Sequence, residues 1–254
     1  MSKTVCITGA TSGIGEACAE VFGAAGHHLI LCGRRQDRLT AIRNRLEKAH
    51  GISVLIITLD VRNRESVNKA IKEMPFHWRN VDVLINNAGL ARGVAGIDEG
   101  DLDDWDEMID TNVKGLLYMS KAVIPLMKEQ GSGHIINIGS IAGAETYPKG
   151  NVYCATKHAV SSLTKGMRID LLPYGIKVSQ VSPGATETEF SIVRYHGDED
   201  KARNVYKGYQ PLTGTDVAET ILFVATLPAH VNVNDLLLMP TAQASATIFN
   251  KDAE

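Results

Sequence analysis

Short runs of consecutive apolar residues, rich in Val and Ile, alternate along this chain with longer stretches of helix formers, and that alternation limits the fold more than any other feature. The runs fall at residues 4–8, 28–32, 53–57, 81–85, 134–138, 177–181 and 235–239. Most are apolar at successive positions rather than every second one, so they need cover on both faces, as strands of a parallel sheet do. The segments between them, 13–25, 37–49, 64–73, 102–128, 152–172 and 215–227, carry apolar residues three and four apart and are predicted as helices. A strand and helix succession of this kind requires right-handed crossovers. It gives an α/β fold, a single domain with a doubly wound, seven-stranded parallel sheet flanked by helices. Ligands of such sheets bind beyond the carboxyl ends of the strands.

With 254 residues and 44% hydrophobic content, the chain has enough apolar surface for one sizeable core. A net charge of −3 with scattered Lys and Arg lacks the basic footprint of a nucleic-acid binder. No apolar run reaches the roughly 18 residues of a membrane span. The first residues lack the basic region and apolar stretch of a secretory signal, so a cytoplasmic protein is expected. Cys6, Cys18, Cys32 and Cys154 have no CxxC spacing, which argues for reduced thiols and against a disulfide framework or zinc site; no metal is expected. Residues 186–213 are polar and break the rhythm, and they are read as a substrate lid with a little helix.

The turn after the first strand reads Gly9-Ala-Thr11-Ser12-Gly13-Ile14-Gly15. Gly9 suits a tight turn, Gly13 lets the backbone approach a pyrophosphate, and Gly15 lets helix and strand pack closely, with the helix amides facing an anion. That is the dinucleotide-binding turn of a Rossmann fold. After the second strand, where an acid would bind a ribose 2′-hydroxyl, stand Arg34 and Arg35. Their planar forks suit a 2′-phosphate, so NADP is favoured over NAD. Asp37 reads more as a helix N-cap than as a ribose ligand.

Farther along, Tyr153 and Lys157 lie four residues apart, hence on one face of a predicted helix, and Ser140 ends the fifth strand. A tyrosine with a pKa of about 10 is a poor acid or base at neutral pH, and a neighbouring cation favours its ionised form. Lys157, acting with a positive nicotinamide in a partly dry site, is expected to supply that cation.

The order and spacing of Gly9 to Gly15, Asp60-Val61, Asn86-Asn87-Ala88-Gly89, Asn112, Ser140, Tyr153, Lys157 and Pro183-Gly184 resemble the short-chain dehydrogenase/reductase family over nearly the whole chain. The resemblance implies that Tyr153 is the general acid/base, that Ser140 holds the substrate oxygen, and that Lys157 binds the nicotinamide ribose while adjusting the tyrosine. It implies that Asn112 supports a water relay behind Lys157. Asp60 and Val61 would contact adenine, Asn87 with Ala88 and Gly89 would lie near the adenosine ribose, and Pro183, Gly184, Thr186 and Thr188 would close over nicotinamide. Within the family, Gly33 to Leu39, Leu59 to Arg64, Asn151-Val152-Tyr153, Thr188 to Arg194 and Leu227 to Val233 resemble the NADP-dependent 3-hydroxy acid dehydrogenases. That branch oxidises serine, allo-threonine and related acids and reduces malonic semialdehyde. A small acid needs a cation in the pocket; Arg194 is the first candidate and Lys149 the second. The family's usual assembly is a homotetramer, built through the helices at 102–128 and 152–172 with the last strand at a second interface. Reduction of another carbonyl (3-oxoacyl thioester, steroid or sugar) and a non-enzymatic NADP sensor are the alternatives.

Overall fold

In the computed structural model, which describes residues 2–251, the aliphatic runs form β1 (Thr4–Thr8), β2 (His28–Gly33), β3 (Val54–Thr58), β4 (Val83–Asn86), β5 (Gly133–Ile138) and β6 (Ile176–Pro183). The short strands β7 (Thr186–Glu187) and β8 (Leu212–Thr213) pair only with each other, and β9 (Asp235–Leu238) closes the edge of the main sheet. Among the described residues the main sheet has seven strands in the order β3-β2-β1-β4-β5-β6-β9, all parallel.

Successive strand residues feed opposite cores, which explains the lack of polar alternation in the sequence. Val5, Ile7, Leu29, Leu31, Val83 and Ile85 pack against α1 (Gly13–Ala24), α2 (Gln36–His50) and, farther along the chain, the helix at Gly214–Thr226. Cys6, Ile30 and Leu84 point the other way, towards α3 (Arg64–Lys72) and the helix at Leu116–Gln130. Full burial of each such side chain contributes about 1.5–3 kcal/mol, so the strands are fixed by both layers.

The segment predicted as one helix over 102–128 is interrupted. It comprises α4 (Leu102–Ile109), a wide π-helical turn at Asp110–Gly115, and α5 (Leu116–Gln130). Two contacts favour the turn: Asn112 is drawn onto the backbone of Leu90, and a Cβ on Gly115 would meet Val61 at 2.7 Å. π-turns inside helices cluster at functional sites. The remaining helices are α6 (Asn151–Leu171), α7 (Glu189–Arg194), α8 (Glu199–Asn204) and α9 (Gly214–Thr226). Helix α2 starts one residue earlier than expected, with Arg35 at its N-cap position, so Asp37 lies in the first turn instead of capping it. Residues 186–213 fold as β7, α7, α8 and β8 and lie across the carboxyl ends of the strands. No helix among the described residues is long and apolar enough to cross a membrane.

Candidate active site

The strand order reverses between β1 and β4, and a cavity of about 540 Å³ opens beyond their carboxyl ends. Its first wall is the β1–α1 turn, where Gly9 and Gly13 hold φ of +66° and +54°. Thr11, Ser12 and Ile14 line it with them. Ser12 makes no side-chain capping bond, which leaves the first amides of α1 to an anion. Gly15 lies behind this wall; a Cβ there would collide with the Gly9 carbonyl and the Asn87 amide.

Asn87, Ala88 and Gly89 form the adjoining wall. The Asn87 side chain donates to the Thr8 carbonyl at 2.9 Å, and the Thr8 hydroxyl accepts from the Asn87 and Ala88 amides at 3.0 Å each. These bonds hold the turn after β4 to the phosphate loop. Asp60 and Val61 lie alongside. The Asp60 carboxylate is gripped by Arg62 through Nε and Nη2; burial raises its pKa, but the hydrogen bonds from Arg62 outweigh that and hold it below its ordinary value.

The two candidate phosphate cations differ. Arg34 lines the cavity with no side-chain hydrogen bond among the described residues. Arg35 turns back: Nε and Nη2 donate to Thr11 Oγ1 at 3.1 and 3.0 Å, and Nη1 donates to Glu189 at 3.0 Å. Both arginines line the cavity; Arg35 is also braced against the loop, whereas Arg34 has no such bond. The wall as a whole fits a phosphorylated dinucleotide: a glycine cradle that Cβ atoms would fill, uncapped helix amides, and a guanidinium with no side-chain hydrogen bond among the described residues.

At the other end, Ser140 precedes a short 3-10 turn, and its Oγ accepts from the Ala142 amide at 3.1 Å. Tyr153 and Lys157 project from the first turns of α6 into the same cavity. Among the protein's own groups, burial pushes the Tyr153 phenol above its ordinary value and Tyr147 adds to this, while Ser140 and Arg194 only partly oppose them. Burial lowers Lys157 to about 8. Its Nζ donates to the Ile138 carbonyl at 2.9 Å and lies 6.0 Å from the Tyr153 ring centroid, too far for a direct bond to the ring. Among the protein's own groups the balance therefore favours the protonated phenol.

Asn112 stands behind the cavity, not in its wall. Its Oδ1 accepts from Leu90 N at 2.8 Å, and its Nδ2 donates to Leu90 O at 2.8 Å and Thr156 Oγ1 at 3.0 Å. The side chain is therefore committed to protein partners. Pro183, Gly184, Thr186 and Thr188 also line the cavity, Thr188 standing against Gly13 of the phosphate loop.

Arg194, at the end of α7, reaches the cavity. Its Nη1 donates to the Tyr147 hydroxyl at 3.2 Å, its guanidinium carbon lies 5.9 Å from the Tyr153 ring centroid, and its Nε is buried without a partner. Lys149, the second candidate, is exposed and outside the cavity wall. Sequence reasoning missed an enclosing set: Tyr147, Phe190, Tyr206, Tyr209, Gln243 and Phe249. Phe190 packs on Tyr153 at 5.6 Å between centroids, and Gln243 Oε1 accepts from the Ala185 amide at 2.8 Å. The polar break at 186–213 covers Phe190, Tyr206 and Tyr209; Tyr147, Gln243 and Phe249 lie outside it and nothing in the sequence marks them.

Fold and site together have a counterpart among known proteins: the chain belongs to the short chain dehydrogenase family, whose model matches residues 3–198. NADP-dependent 3-hydroxy acid dehydrogenase YdfG of Salmonella typhi is 46% identical over 243 residues, 95% of this chain and 96% of that protein. Sulfoacetaldehyde reductase 2 of Chromohalobacter salexigens is 47% identical over 254 residues, 99% of this chain and 100% of that protein. The closed form of serine dehydrogenase complexed with NADP+ superposes with a TM-score of 0.91 at 44% identity, covering 99% of this chain and 100% of that one.

Proposed function

We propose that this chain interconverts a small 3-hydroxy acid, of the serine, allo-threonine or 3-hydroxypropionate type, and its 3-oxo form. It is an NADP-dependent oxidoreductase acting on CH–OH groups, by its family and its relatives. The acid substrate is the added step. One observation carries it: Arg194 Nε is a buried donor without a partner, in the same cavity as Ser140 and Tyr153. A buried charged donor is costly unless an acceptor completes it, and a carboxylate does so.

When bound, NADP gives or takes the hydride. The chain's own residues hold the substrate and move the proton. Arg194, oriented by Tyr147, binds the acid group, and Ser140 Oγ holds the oxygen on carbon 3. Tyr153 gives its proton to that oxygen in reduction and must lose it before oxidation. Lys157 would hold the nicotinamide ribose, and the segment from Pro183 to Thr188 would close over the nicotinamide. The aromatic wall of Tyr147, Phe190, Tyr206, Tyr209 and Phe249 encloses the reacting end, which favours a small substrate over a steroid or thioester.

Residues 186–213 act as the lid of a single catalytic domain. The exposed apolar residues Leu117, Ile169 and Leu172 on α5 and α6, and at the turn following α6, together with the free edge of β9, support a homotetramer. The four free, buried cysteines support a cytoplasmic location.

The sulfonate reductase relative favours a second reading, in which Arg194 and Tyr147 hold a sulfonate. A steady-state panel of L-serine, L-allo-threonine, 3-hydroxypropionate and neutral alcohols with NADP+, and of sulfoacetaldehyde with NADPH, separates these readings. Highest kcat/KM on a 3-hydroxy acid supports the proposal. Highest kcat/KM on sulfoacetaldehyde moves it to the sulfonate, and preference for neutral alcohols removes the acid reading.

A further inference from the structure

We propose that Glu189 is a positioning residue for the cofactor: its carboxylate clasps the segment around α7 to the arginines beside the 2′-phosphate site, and thereby sets how long the dinucleotide stays bound. The proposal rests on the NADP reading and goes beyond it in assigning a role to Glu189, to which the sequence reading gave none.

Glu189 is the first residue of α7, and its carboxylate accepts from Arg35 Nη1 at 3.0 Å and Arg38 Nη1 at 2.6 Å. Arg35 is itself anchored to the phosphate loop through Thr11. On the other side of Glu189, Thr188 caps α7 by accepting from the Phe190 amide at 3.2 Å. Thr188 also lies so close to the loop that a Cβ on Gly13 would stand 3.1 Å from its Cβ. Thr11, Arg35, Glu189, Thr188 and Gly13 therefore close a ring of contacts around the cavity wall that the dinucleotide phosphates would use. Opening it requires the Glu189 ion pairs to part.

Charge is consistent with a clasp that stays shut over NADP. Arg34, Arg35 and Arg38 carry more positive charge than a phosphate dianion neutralises, so phosphate and carboxylate can be held together. Burial works to protonate Glu189, but the hydrogen bonds from Arg38 and Arg35 prevail and keep it ionised through the neutral range. Both pairs remain partly exposed, with side-chain accessibilities between 39% and 44%, so each is weak enough to open in turnover. The far end of α7 is tied independently, because the Gly93 amide donates to the Arg194 carbonyl at 3.0 Å. Loss of Glu189 should therefore free the cofactor end of the segment alone.

The test is stopped-flow displacement of NADPH, and separately of NADH, from wild type, Glu189→Gln, Arg38→Gln and the double variant, followed by nicotinamide fluorescence. The clasp predicts dissociation about three- to tenfold faster in Glu189→Gln, the scale of two partly exposed ion pairs, and a smaller acceleration in Arg38→Gln, which loses one of them. It predicts the same factor for NADPH and NADH, and a double variant no faster than Glu189→Gln. A wild type that fails to bind NADPH overturns the cofactor reading and this proposal with it. A wild type that binds NADPH but releases it no more slowly than Glu189→Gln overturns the clasp alone. Slower release from Glu189→Gln also overturns it, by showing that the carboxylate competes with phosphate for the arginines.

Discussion

Replacing Arg194 with alanine separates recognition of the acid from the chemistry. The guanidinium keeps one bond to Tyr147 and has a buried Nε without a partner, so a bound carboxylate gains one or two charge-assisted hydrogen bonds from it. Each is worth roughly 1.5–3 kcal/mol. At about 1.4 kcal/mol per tenfold, Arg194→Ala should lower kcat/KM for 3-hydroxy acids by about tenfold for one bond at the low end to about 10⁴-fold for two at the high end. Neutral alcohols of the same carbon skeleton report on everything else, including the loss of Arg194 from beside the Tyr153 ring, and should lose less than about threefold. The assay is steady-state NADPH production at saturating NADP+, with each acid paired to its neutral analogue. Equal losses on acid and alcohol would refute the reasoning, because Arg194 would then serve the fold or Tyr153 and not the carboxylate.

Tyr153→Phe keeps the ring against Phe190 and removes the proton, so turnover should fall by about 10²–10⁴ while NADPH titration by fluorescence gives an unchanged affinity. Arg34→Ala should raise KM for NADPH far more than for NADH, since Arg34 lines the cavity with no side-chain hydrogen bond among the described residues, whereas Arg35 is held by Thr11 and Glu189; matched losses would count against a 2′-phosphate contact. Lys157 is held at about 8 against an ordinary value of 10.5 because burial disfavours its ammonium. Its folded pKa is thus below the unfolded one, the unfolded chain binds more protons between those two values, and stability from this group rises with pH across that window. Denaturant midpoints should show wild type gaining on Lys157→Met from pH 8 to 10.5, by on the order of 2–3 kcal/mol in total; a flat difference would contradict the burial.

The strands were legible because both faces of the sheet are covered, so most runs are apolar at successive positions and stand out from their polar flanks. The phosphate loop, Ser140, Tyr153 and Lys157 were legible because backbone geometry and chemistry require particular residue types at fixed spacing. Three features were not. A π-turn inserts one residue into a helix whose apolar period barely changes, so the break at Asp110–Gly115 left no trace in the sequence. The burial of Tyr153, which among the protein's own groups favours the neutral phenol, depends in part on Phe190, packed on its ring from a distant segment, and the spacing to Lys157 carries no sign of it. Arg35 looked equivalent to Arg34 until Glu189, distant in sequence, was seen to occupy it. In each case the deciding contact is made by tertiary structure rather than by neighbours along the chain.

The central claim is that one cavity brings the Tyr153 hydroxyl, Ser140 and the Arg194 guanidinium onto a single small acid beside the cofactor. A crystal structure of the ternary complex with NADP+ and a 3-hydroxy acid tests it most directly. The account predicts Tyr153 Oη and Ser140 Oγ each within about 2.6–3.2 Å of the substrate hydroxyl, and the carboxylate on Arg194. A substrate bound with its carboxylate away from Arg194, or a Tyr153 hydroxyl turned from the reacting carbon, would contradict it.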